Sequence, residues 1–440
     1  MEEDSEEAPP ASFPKREGLG KVVFPNRIMR ILTVSNFYPP HYIGGYELGC
    51  RDAVEGLRSR GHDVRVLTST YGVGRKAAVS GGLRLLEADL DWEKFGFLRR
   101  NVRLLHQEIR NRVVFKNVVR VFEPDLIYIW NLTHISLSIA LQAQKWGIPT
   151  SWYVFDNWLS DWSQDRWYSL WHRRSERCYN LPIQIFLSLL LKPTCLVPPK
   201  DALNLGGVQF ASRYLRSFAL GKGRDVDMAE VIPWGIDTRR FPFFARRRKP
   251  TRILYVGQIM PHKGVNAAIE ALKWIRVKKE CEMVRLTIAG GTILPDYETS
   301  LRKLVLELGL ENHVHFTGFV PHEELPEIYR QHDILIFPSV WDEPFGIALL
   351  EAMSSGLAVV ATATGGSAEI IEDEENALVF PPGDAQACAH QIQRLSHDFT
   401  LFQRLVRAAR RKVEEAFRFE TTLDRIEDSL SRNAKCRRTL

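Results

Sequence analysis

The most restrictive feature of this chain is a short apolar run that passes through a glutamate-containing loop into a helical pattern. The run spans 333–339, the loop holds Glu343, and apolar residues then recur at helical spacing as far as Glu351. A strand that leads into a helix is typical of parallel α/β folds, because parallel strands need a crossover connection. The first amides of a helix lack internal partners and lie at the positive end of its dipole. The sequence therefore predicts an anion site at Gly346 and Ile347.

Two carboxylates flank this predicted helix start. Glu343 precedes it, and Glu351 lies roughly 8 Å further along, at a rise of about 1.5 Å per residue. A pair of glutamates on a solvated helix face is common and carries little information alone. In this strand-loop-helix context, the pair suits a nucleoside diphosphate sugar. The hexose hydroxyls would meet Glu343, the diphosphate the helix start, and the ribose hydroxyls Glu351.

Two other segments have the same strand-to-turn character. Residues 252–257 form an apolar run that ends in glycine, and Lys263-Gly264 follows at the start of a helical pattern. Residues 30–69 form one predicted β-α-β unit with Gly44-Gly45 at its turn, where glycine lets the backbone approach a ligand closely. A glycine pair in such a loop is a weak signal alone. A surface lysine at the start of a helix is the alternative interpretation of Lys263.

These segments resemble, in order and spacing, the retaining glycosyltransferases of family four. Glu343 and Glu351 match the E-x7-E motif, and Lys263 matches the lysine of the G-R-x-x-x-x-K-G segment. Residues 231–241 look like the V-I-P-N-G-V-D-x-x-x-F segment that joins the two domains of the family. The resemblance covers about residues 28 to 430.

Two positions in these motifs depart from the family pattern. Gln258 stands where the family has an arginine that grips the donor diphosphate, and Trp234 stands where asparagine is usual. Glutamine donates hydrogen bonds but carries no charge, so either Lys263 and the helix amides suffice or donor affinity is weakened.

The resemblance implies an α/β fold of two doubly wound Rossmann-like domains facing each other across a cleft (GT-B), with a C-terminal helix crossing back to the first domain. It implies metal-independent, retaining transfer of a hexosyl group from a nucleoside diphosphate sugar to a hydroxyl of a glycan or lipid-linked acceptor. No cofactor besides this co-substrate is expected. The implied catalytic residues are Glu343, Lys263 and Asp156. The implied donor-binding residues are Gly44, Gly45, Gln258, Gly290, Val320, Phe345, Gly346, Ile347 and Glu351.

The acceptor side departs from the family at the end of the predicted strand before Asp156. Many members have a histidine there, followed by aspartate, whereas this chain has Phe155 followed by Asp156. His134 follows the apolar run 126–132, so it is expected near the same strand ends and is a candidate acceptor residue. A lone histidine after a strand is, however, more often structural.

A tryptophan-rich segment lies in the same region. It comprises Trp152, Trp158, Trp162, Trp167 and Trp171, and the apolar run 183–191 follows. These rings could stack on an acceptor sugar, which makes Trp158 a candidate acceptor residue. They could also lie on a bilayer surface, which would mean peripheral contact with a membrane. An aromatic core beneath a long insertion is an equally good interpretation.

A bound metal is not expected. Two D-x-D patterns occur, at 89–91 and 225–227, but neither follows a convincing strand, and chance explains them better. Six cysteines are scattered without C-x-x-C pairs, which argues against structural zinc and for a reducing compartment. Basic clusters at 246–249 and 410–412 are interpreted as solvated faces, and no nucleic-acid partner is expected.

The length of 440 residues predicts two domains. The predicted boundaries are a disordered acidic tail at 1–27, an acceptor-side domain at 28–222, a nucleotide-sugar-binding domain at 223–413 and a returning helix at 414–440. No apolar run reaches the roughly 20 residues of a spanning helix, and the acidic N-terminus does not resemble a signal peptide. A cytoplasmic protein, with peripheral attachment to the inner membrane face as an alternative, is therefore expected.

Two other functions remain open. One is a sugar nucleotide epimerase or hydrolase, which would need a base at the cleft but no acceptor site. The other is a catalytically decayed scaffold that binds glycans or membranes, which Gln258 and Phe155 keep under consideration. The donor sugar, its nucleotide and the acceptor depend on loops without a readable code.

Overall fold

A computed structural model describes residues 28–72, 82–88, 90, 97–162, 165–172, 203–247, 249–277 and 284–435. The predicted tail at 1–27 and the apolar run 183–191 lie outside these ranges. Within them, the chain forms two parallel sheets with helices packed against both. The predicted doubly wound α/β architecture of two domains is confirmed.

The first sheet has seven strands in the order β3-β2-β1-β4-β5-β6-β7, and the second has six in the order β10-β9-β8-β11-β12-β13. The strands are β1 Arg30–Ser35, β2 Asp63–Ser69, β3 Gly82–Leu86, β4 Leu126–Asn131, β5 Thr150–Val154, β6 Val208–Phe210, β7 Glu230–Val231, β8 Arg252–Val256, β9 Arg285–Ala289, β10 Val314–Gly318, β11 Ile334–Phe337, β12 Ala358–Ala361 and β13 Leu378–Val379.

The helices that join these strands vary from two turns to seven. They are α1 Gly45–Ser59, α2 Phe97–Phe122, α3 Ser138–Lys145, α4 Arg166–His172, α5 Arg213–Gly221, α6 Val265–Val277, α7 Pro295–Glu307, α8 Leu325–Gln331, α9 Ile347–Ser355, α10 Ala385–His397, α11 Phe399–Ala416 and α12 Phe419–Lys435. Short 3-10 turns occur at Asn157–Leu159, Pro261–Lys263 and Gly365–Glu369.

Each sheet has one point at which its strand order reverses. In the first sheet this point lies between β1 and β4, and in the second between β8 and β11. The connections that leave the carboxyl ends of such a strand pair run to opposite faces of the sheet and open a crevice for a ligand. Most predicted site residues lie in the connections after β1, β4, β8 and β11, and the others follow the nearby strands β5, β9 and β10. The fold therefore places them at the two crevices.

The last helix returns to the first domain, as predicted. Helix α12 packs closely against α1. A Cβ atom added to Gly56 of α1 would lie only 2.6 Å from Leu423 Cδ2 of α12. His62 Nε2 is 3.1 Å from Glu427 Oε1, and Arg60 donates to Asp424 at 2.7 Å. These contacts tie residues near the C-terminus to the turn between α1 and β2.

Two sequence-based expectations need correction here. The short strand β7 pairs with β6 in parallel, so the first sheet extends to Val231, beyond the predicted boundary at 222. Arg246, which was assigned to a solvated basic cluster, has a side chain only 6% exposed. It donates to the His332 carbonyl at 2.6 Å and to the Tyr329 carbonyl at 2.9 Å. These hydrogen bonds satisfy carbonyl groups at the C-terminal end of α8.

Candidate active site

The two domains face each other across a cleft that contains two adjoining chambers. The first has a volume of about 790 Å³ and the second of about 630 Å³. Both are lined by 43–45 at the start of α1, by 256–258 after β8, and by Ile347 and Ala348 at the start of α9. The chambers therefore meet at three strand-to-helix connections, one from the first domain and two from the second.

Every residue that the sequence singled out for a site lies in this cleft. The first chamber is lined by Gly290, Val320 and Glu351. The second is lined by Glu343, Lys263, Asp156, Phe345, Gly346, His134 and Trp158. Both are lined by Gly44, Gly45, Gln258 and Ile347. The fold thus brings together segments that are up to about 300 residues apart in sequence. Their roles in binding and catalysis remain predictions.

The junction of the chambers includes the helix start that was predicted to bind an anion. Helix α9 begins at Ile347, and its N-cap is Gly346, which has no side chain to bond the first amides. A Cβ on Gly346 would lie 2.7 Å from the terminal methyl Leu349 Cδ1, so a larger residue here would have to displace that side chain. Orphan amides and the helix dipole together favour a phosphate group at this place.

Lys263 and Glu343 form an ion pair in the second chamber. Lys263 Nζ lies 2.8 Å from Glu343 Oε1 and 2.9 Å from Oε2, and Ser339 Oγ donates to Oε1 at 2.5 Å. The Lys263 side chain is 23% exposed and that of Glu343 only 6%. An ammonium has three protons to donate, so Lys263 can hold Glu343 and still reach a further anion.

A tight turn keeps Lys263 at this place. The 3-10 turn Pro261–Lys263 ends at Gly264, whose φ is +68°. A Cβ on Gly264 would lie 2.0 Å from the Pro338 carbonyl oxygen, and Val340 N donates to the His262 carbonyl at 2.9 Å. The connections after β8 and β11 are therefore packed backbone to backbone, which fixes the origin of the lysine side chain.

Glu351 is buried on the second turn of α9 and has two protein partners. His322 Nε2 is 2.7 Å from its Oε1, and the Tyr329 hydroxyl donates to its Oε2 at 2.8 Å. The alternative of two solvated glutamates is wrong, since the whole residue is only 5% exposed for Glu343 and 3% exposed for Glu351. His322 and Tyr329 escaped sequence reasoning because nothing local links them to Glu351.

The glycine turn of the first domain is arranged differently from the expectation. The Glu47 carboxylate accepts from the amides of Gly44 at 3.0 Å and Ile43 at 3.3 Å, so an internal anion occupies part of this helix start. Gln258 Nε2 donates to the Ile43 carbonyl at 3.0 Å. The residue in the family's arginine position thus links the domains. A glutamate three residues after a helix N-cap is a known capping signal and could have identified Glu47.

Asp156 follows β5 and lines the second chamber. Its carboxylate accepts from the Trp158 amide at 2.9 Å and caps the turn Asn157–Leu159. Desolvation by burial raises the pKa of Asp156 to about 7, with a further contribution from the charge of Glu47. Phe155, at the position of the family's histidine, packs on Tyr46 with ring centroids 5.8 Å apart and edge-on to Phe345 at 5.5 Å.

The tryptophan-rich segment belongs to the core. Trp152, Trp158, Trp162, Trp167 and Trp171 are all buried, at 7% exposure or less. Trp158 Nε1 donates to the Tyr46 hydroxyl at 2.9 Å, and both residues line the second chamber. The interpretation of these five rings as a bilayer surface is therefore wrong, and four of them are not exposed sugar-stacking rings either. Trp158 lines the second chamber, and its role beside an acceptor stays a prediction. The predicted membrane contact loses the support that it drew from these five rings.

His134 lies where its position after β4 predicts, on the wall of the second chamber. Its φ of +68° is uncommon outside glycine, and its carbonyl accepts from Gln107 Nε2 at 2.7 Å. Its ring centroid is 6.5 Å from that of Phe37, which lines the same chamber. The connection after β4 is thereby held in a defined shape.

In the ranges that the structure describes, no three His, Cys, Asp or Glu side chains are grouped so that they could hold a metal ion. Asp225 and Asp227 are exposed, and the other D-x-D pattern is only partly described. Metal independence stays a prediction. No helix within the same ranges is both long enough and apolar enough to cross a membrane.

Comparison with known proteins agrees with the fold. Residues 237–412 match the family "Glycosyl transferases group 1", and residues 44–179 match the "Glycosyl transferase 4-like domain". An uncharacterized glycosyltransferase of Methanocaldococcus jannaschii is 34% identical over 417 residues, which cover 89% of this chain and 95% of the relative. A glycogen synthase of Mycobacterium tuberculosis is 28% identical over 417 residues, with 89% and 92% covered.

Two solved structures show a similar fold. Sucrose-phosphate synthase from Thermosynechococcus elongatus has a TM-score of 0.69 at 21% identity and covers 90% of this chain and 97% of its own. Anabaena Alr3699/HepE in complex with UDP and glucose has a TM-score of 0.67 at 21% identity, and the match covers 92% of this chain and 99% of the Anabaena chain. Two family matches in the expected order, a full-length relative and these GT-B neighbours agree: the chain belongs to the group 1 glycosyl transferases.

Proposed function

We propose that this protein is a retaining, metal-independent hexosyltransferase that takes its sugar from a nucleoside diphosphate sugar. The observation that carries the proposal is the junction of two chambers at the glycine-capped start of α9, with Lys263 lining the second of them. A diphosphate has the charge for this junction, and its two substituents would extend into the two chambers. The solved complex of Alr3699/HepE with UDP and glucose supports the class of donor.

In this proposal the first chamber holds the nucleoside and the second the hexose. Glu351 would accept from ribose hydroxyls and Glu343 from hexose hydroxyls, since a carboxylate oxygen can accept a second hydrogen bond beside its protein partner. Lys263 and the Ile347 amide would stabilise the charge that grows on the diphosphate as the glycosidic bond breaks. The donor diphosphate would then be the leaving group.

The acceptor hydroxyl would enter through the second chamber, beside Asp156 and His134. The bond from the anomeric carbon to the diphosphate breaks, a bond to the acceptor oxygen forms on the same face, and the hydroxyl proton passes to the departing phosphate oxygen. The configuration at the anomeric carbon is then retained. Closed domains would keep water from the reacting bond. A glycan or a lipid-linked glycan is the proposed acceptor.

The experiment that tests this function is a transfer assay with UDP-, GDP-, ADP- and TDP-sugars and a panel of glycan and polyprenyl-linked acceptors. We expect release of nucleoside diphosphate that depends on the acceptor, and a product whose anomeric configuration by NMR is that of the donor. Release of nucleoside diphosphate without an acceptor would favour a hydrolase. Conversion of the donor sugar into an epimer would favour an epimerase. Donor or glycan binding without turnover would favour the decayed scaffold.

The raised pKa of Asp156 predicts two pH effects. A carboxyl whose pKa is about 7 in the folded state and about 4 in the unfolded state contributes stability below pH 4, which is lost as the pH rises towards 7. Asp156→Asn should therefore become more stable, relative to the wild type, as the pH increases from 4 to 7. If ionised Asp156 stabilises positive charge on the sugar, kcat/KM should rise through pH 7 in the wild type and not in the variant.

A matched control is Glu108→Gln. Burial also raises the pKa of Glu108 to about 7, but this residue lines neither chamber and faces a small cavity that also touches His134. Its substitution should change the pH dependence of stability, measured by urea unfolding, and leave the pH profile of kcat/KM as it is. A wild-type profile that persists in Asp156→Asn would remove Asp156 from the catalytic residues.

A further inference from the structure

A histidine outside the predicted site holds the carboxylate of Glu351. His322 Nδ1 lies 2.8 Å from an Arg240 guanidinium nitrogen, and its Nε2 lies 2.7 Å from Glu351 Oε1. A guanidinium only donates hydrogen bonds, so Nδ1 accepts and the ring proton resides on Nε2. His322 therefore donates to Glu351, and Arg240 fixes both its tautomer and the plane of its ring.

The second oxygen of Glu351 is held as well. The Tyr329 hydroxyl donates to Oε2 at 2.8 Å, and the Tyr329 ring is fully buried. A carboxylate with one fixed donor on each oxygen cannot rotate without losing a hydrogen bond in a buried site, which is costly. His322 and Glu351 both line the first chamber, so the remaining lone pairs of this carboxylate have a fixed direction relative to that chamber.

The segment that carries His322 also contacts the first domain. Arg51 on α1 donates to Glu323 Oε1 at 3.1 Å, and Glu323 lies 3.8 Å from Arg240. The His322 amide donates to the Tyr42 hydroxyl at 3.4 Å. The backbone that carries the His322 ring is thus held in part by contacts that exist only while the two domains are close together.

We propose that His322 is a positioning residue for Glu351, and that the contacts from Arg51 and Tyr42 couple this positioning to domain closure. The proposal rests on the proposed function, because the ligand of Glu351 is taken to be the ribose of a nucleotide donor. In the closed protein the carboxylate is oriented for two ribose hydroxyls. In an opened protein the ring would lose its support from the first domain, and the nucleotide would be bound less tightly.

The test compares His322→Ala with His322→Gln. Glutamine can replace both functions of the ring, because its carbonyl oxygen accepts from Arg240 and its amide donates to Glu351. Nucleotide affinity is measured by calorimetry with UDP, GDP, ADP and TDP, and kcat and KM with the corresponding sugars. His322→Ala should raise the Kd of the nucleotide and the KM of the donor about 5- to 20-fold, which corresponds to one lost hydrogen-bonding position, with kcat within about threefold.

Two controls separate positioning from general stability. His315→Ala removes an exposed histidine from the neighbouring strand β10 and should leave the Kd unchanged. Arg51→Ala should raise the donor KM about two- to threefold at low ionic strength and less at high salt, because the Glu323 carboxylate is 62% exposed and screened. If His322 had only a structural role, His322→Ala would lower the melting temperature of the protein without changing the Kd of the nucleotide.

The possible failures of the two proposals are distinguishable. A folded wild type that binds none of the nucleotides or their sugars would overturn the proposed function and this inference with it. A wild type that binds a nucleotide while His322→Ala binds it equally well would overturn the inference alone. So would His322→Gln if it were as weak as His322→Ala, because then the hydrogen bonds are not what matters.

Discussion

Replacing Lys263 with alanine is expected to lower kcat/KM for the donor by about 10²- to 10³-fold, the usual effect of removing one preorganised group that stabilises charge in a transition state. The ammonium lines the chamber beside the start of α9, where the leaving diphosphate would lie. The measurement is the rate of acceptor-dependent release of nucleoside diphosphate at a fixed pH.

The control for this variant must take account of Glu343. Lysine removal leaves a carboxylate that is only 6% exposed without its cation, which costs stability by itself. The double variant Lys263→Ala/Glu343→Gln has no buried unpaired carboxylate, because glutamine is neutral. The variant Lys263→Arg keeps a cation beside Glu343. We expect the double variant to regain stability, which would identify the unpaired carboxylate as the cause of the instability, and Lys263→Arg to retain part of both stability and activity. Full activity in Lys263→Ala would show that the lysine does not serve the leaving group.

The second large effect concerns Gly264, which turns the backbone after Lys263. Alanine there must adopt a φ of +68° and place its Cβ 2.0 Å from the Pro338 carbonyl oxygen. A left-handed conformation costs about 1–2 kcal/mol, and the steric conflict with backbone adds to this. We expect Gly264→Ala to lose on the order of 3 kcal/mol of folding free energy, measured by urea unfolding, and most of its activity.

Gly309 offers a matched control for this substitution. Its φ is +63°, but no atom lies within 4 Å of the position that a Cβ would occupy. Gly309→Ala should therefore cost only the conformational term of about 1–2 kcal/mol and leave transfer activity intact. Equal effects of the two substitutions would mean that the contact between the connections after β8 and β11 contributes little.

The segments of the cleft could be predicted because each carries its signal within about forty residues or fewer. The apolar run 333–339, the glycine N-cap and the helix through Glu351 are local features, and so is the β-α-β unit 30–69. Parallel strands of a doubly wound sheet end at one edge, so separate local predictions converge on one site. The resemblance to a known family supplied the roles that these features do not encode.

The contacts within the cleft could not be predicted in the same way. His322 meets Glu351 and Arg240 through the fold, and nothing near it in the sequence indicates either partner. The tryptophans show a different difficulty, because tryptophan suits both a core and an interface and composition does not separate the two. The boundary was placed too early because β7 has only two residues, Glu230 and Val231, and no periodicity that could be recognised.

The central claim is that one nucleoside diphosphate sugar spans both chambers. The most direct measurement is calorimetric binding of UDP, GDP, ADP and TDP, each with and without its hexose, to the wild type, to Glu351→Ala and to Glu343→Ala, after circular dichroism has shown that all three are folded. The account predicts that Glu351→Ala weakens the binding of nucleotide and nucleotide sugar alike, while Glu343→Ala weakens only the additional binding due to the sugar, each about tenfold. Binding that is indifferent to both substitutions, or the absence of binding by the folded wild type, would contradict it.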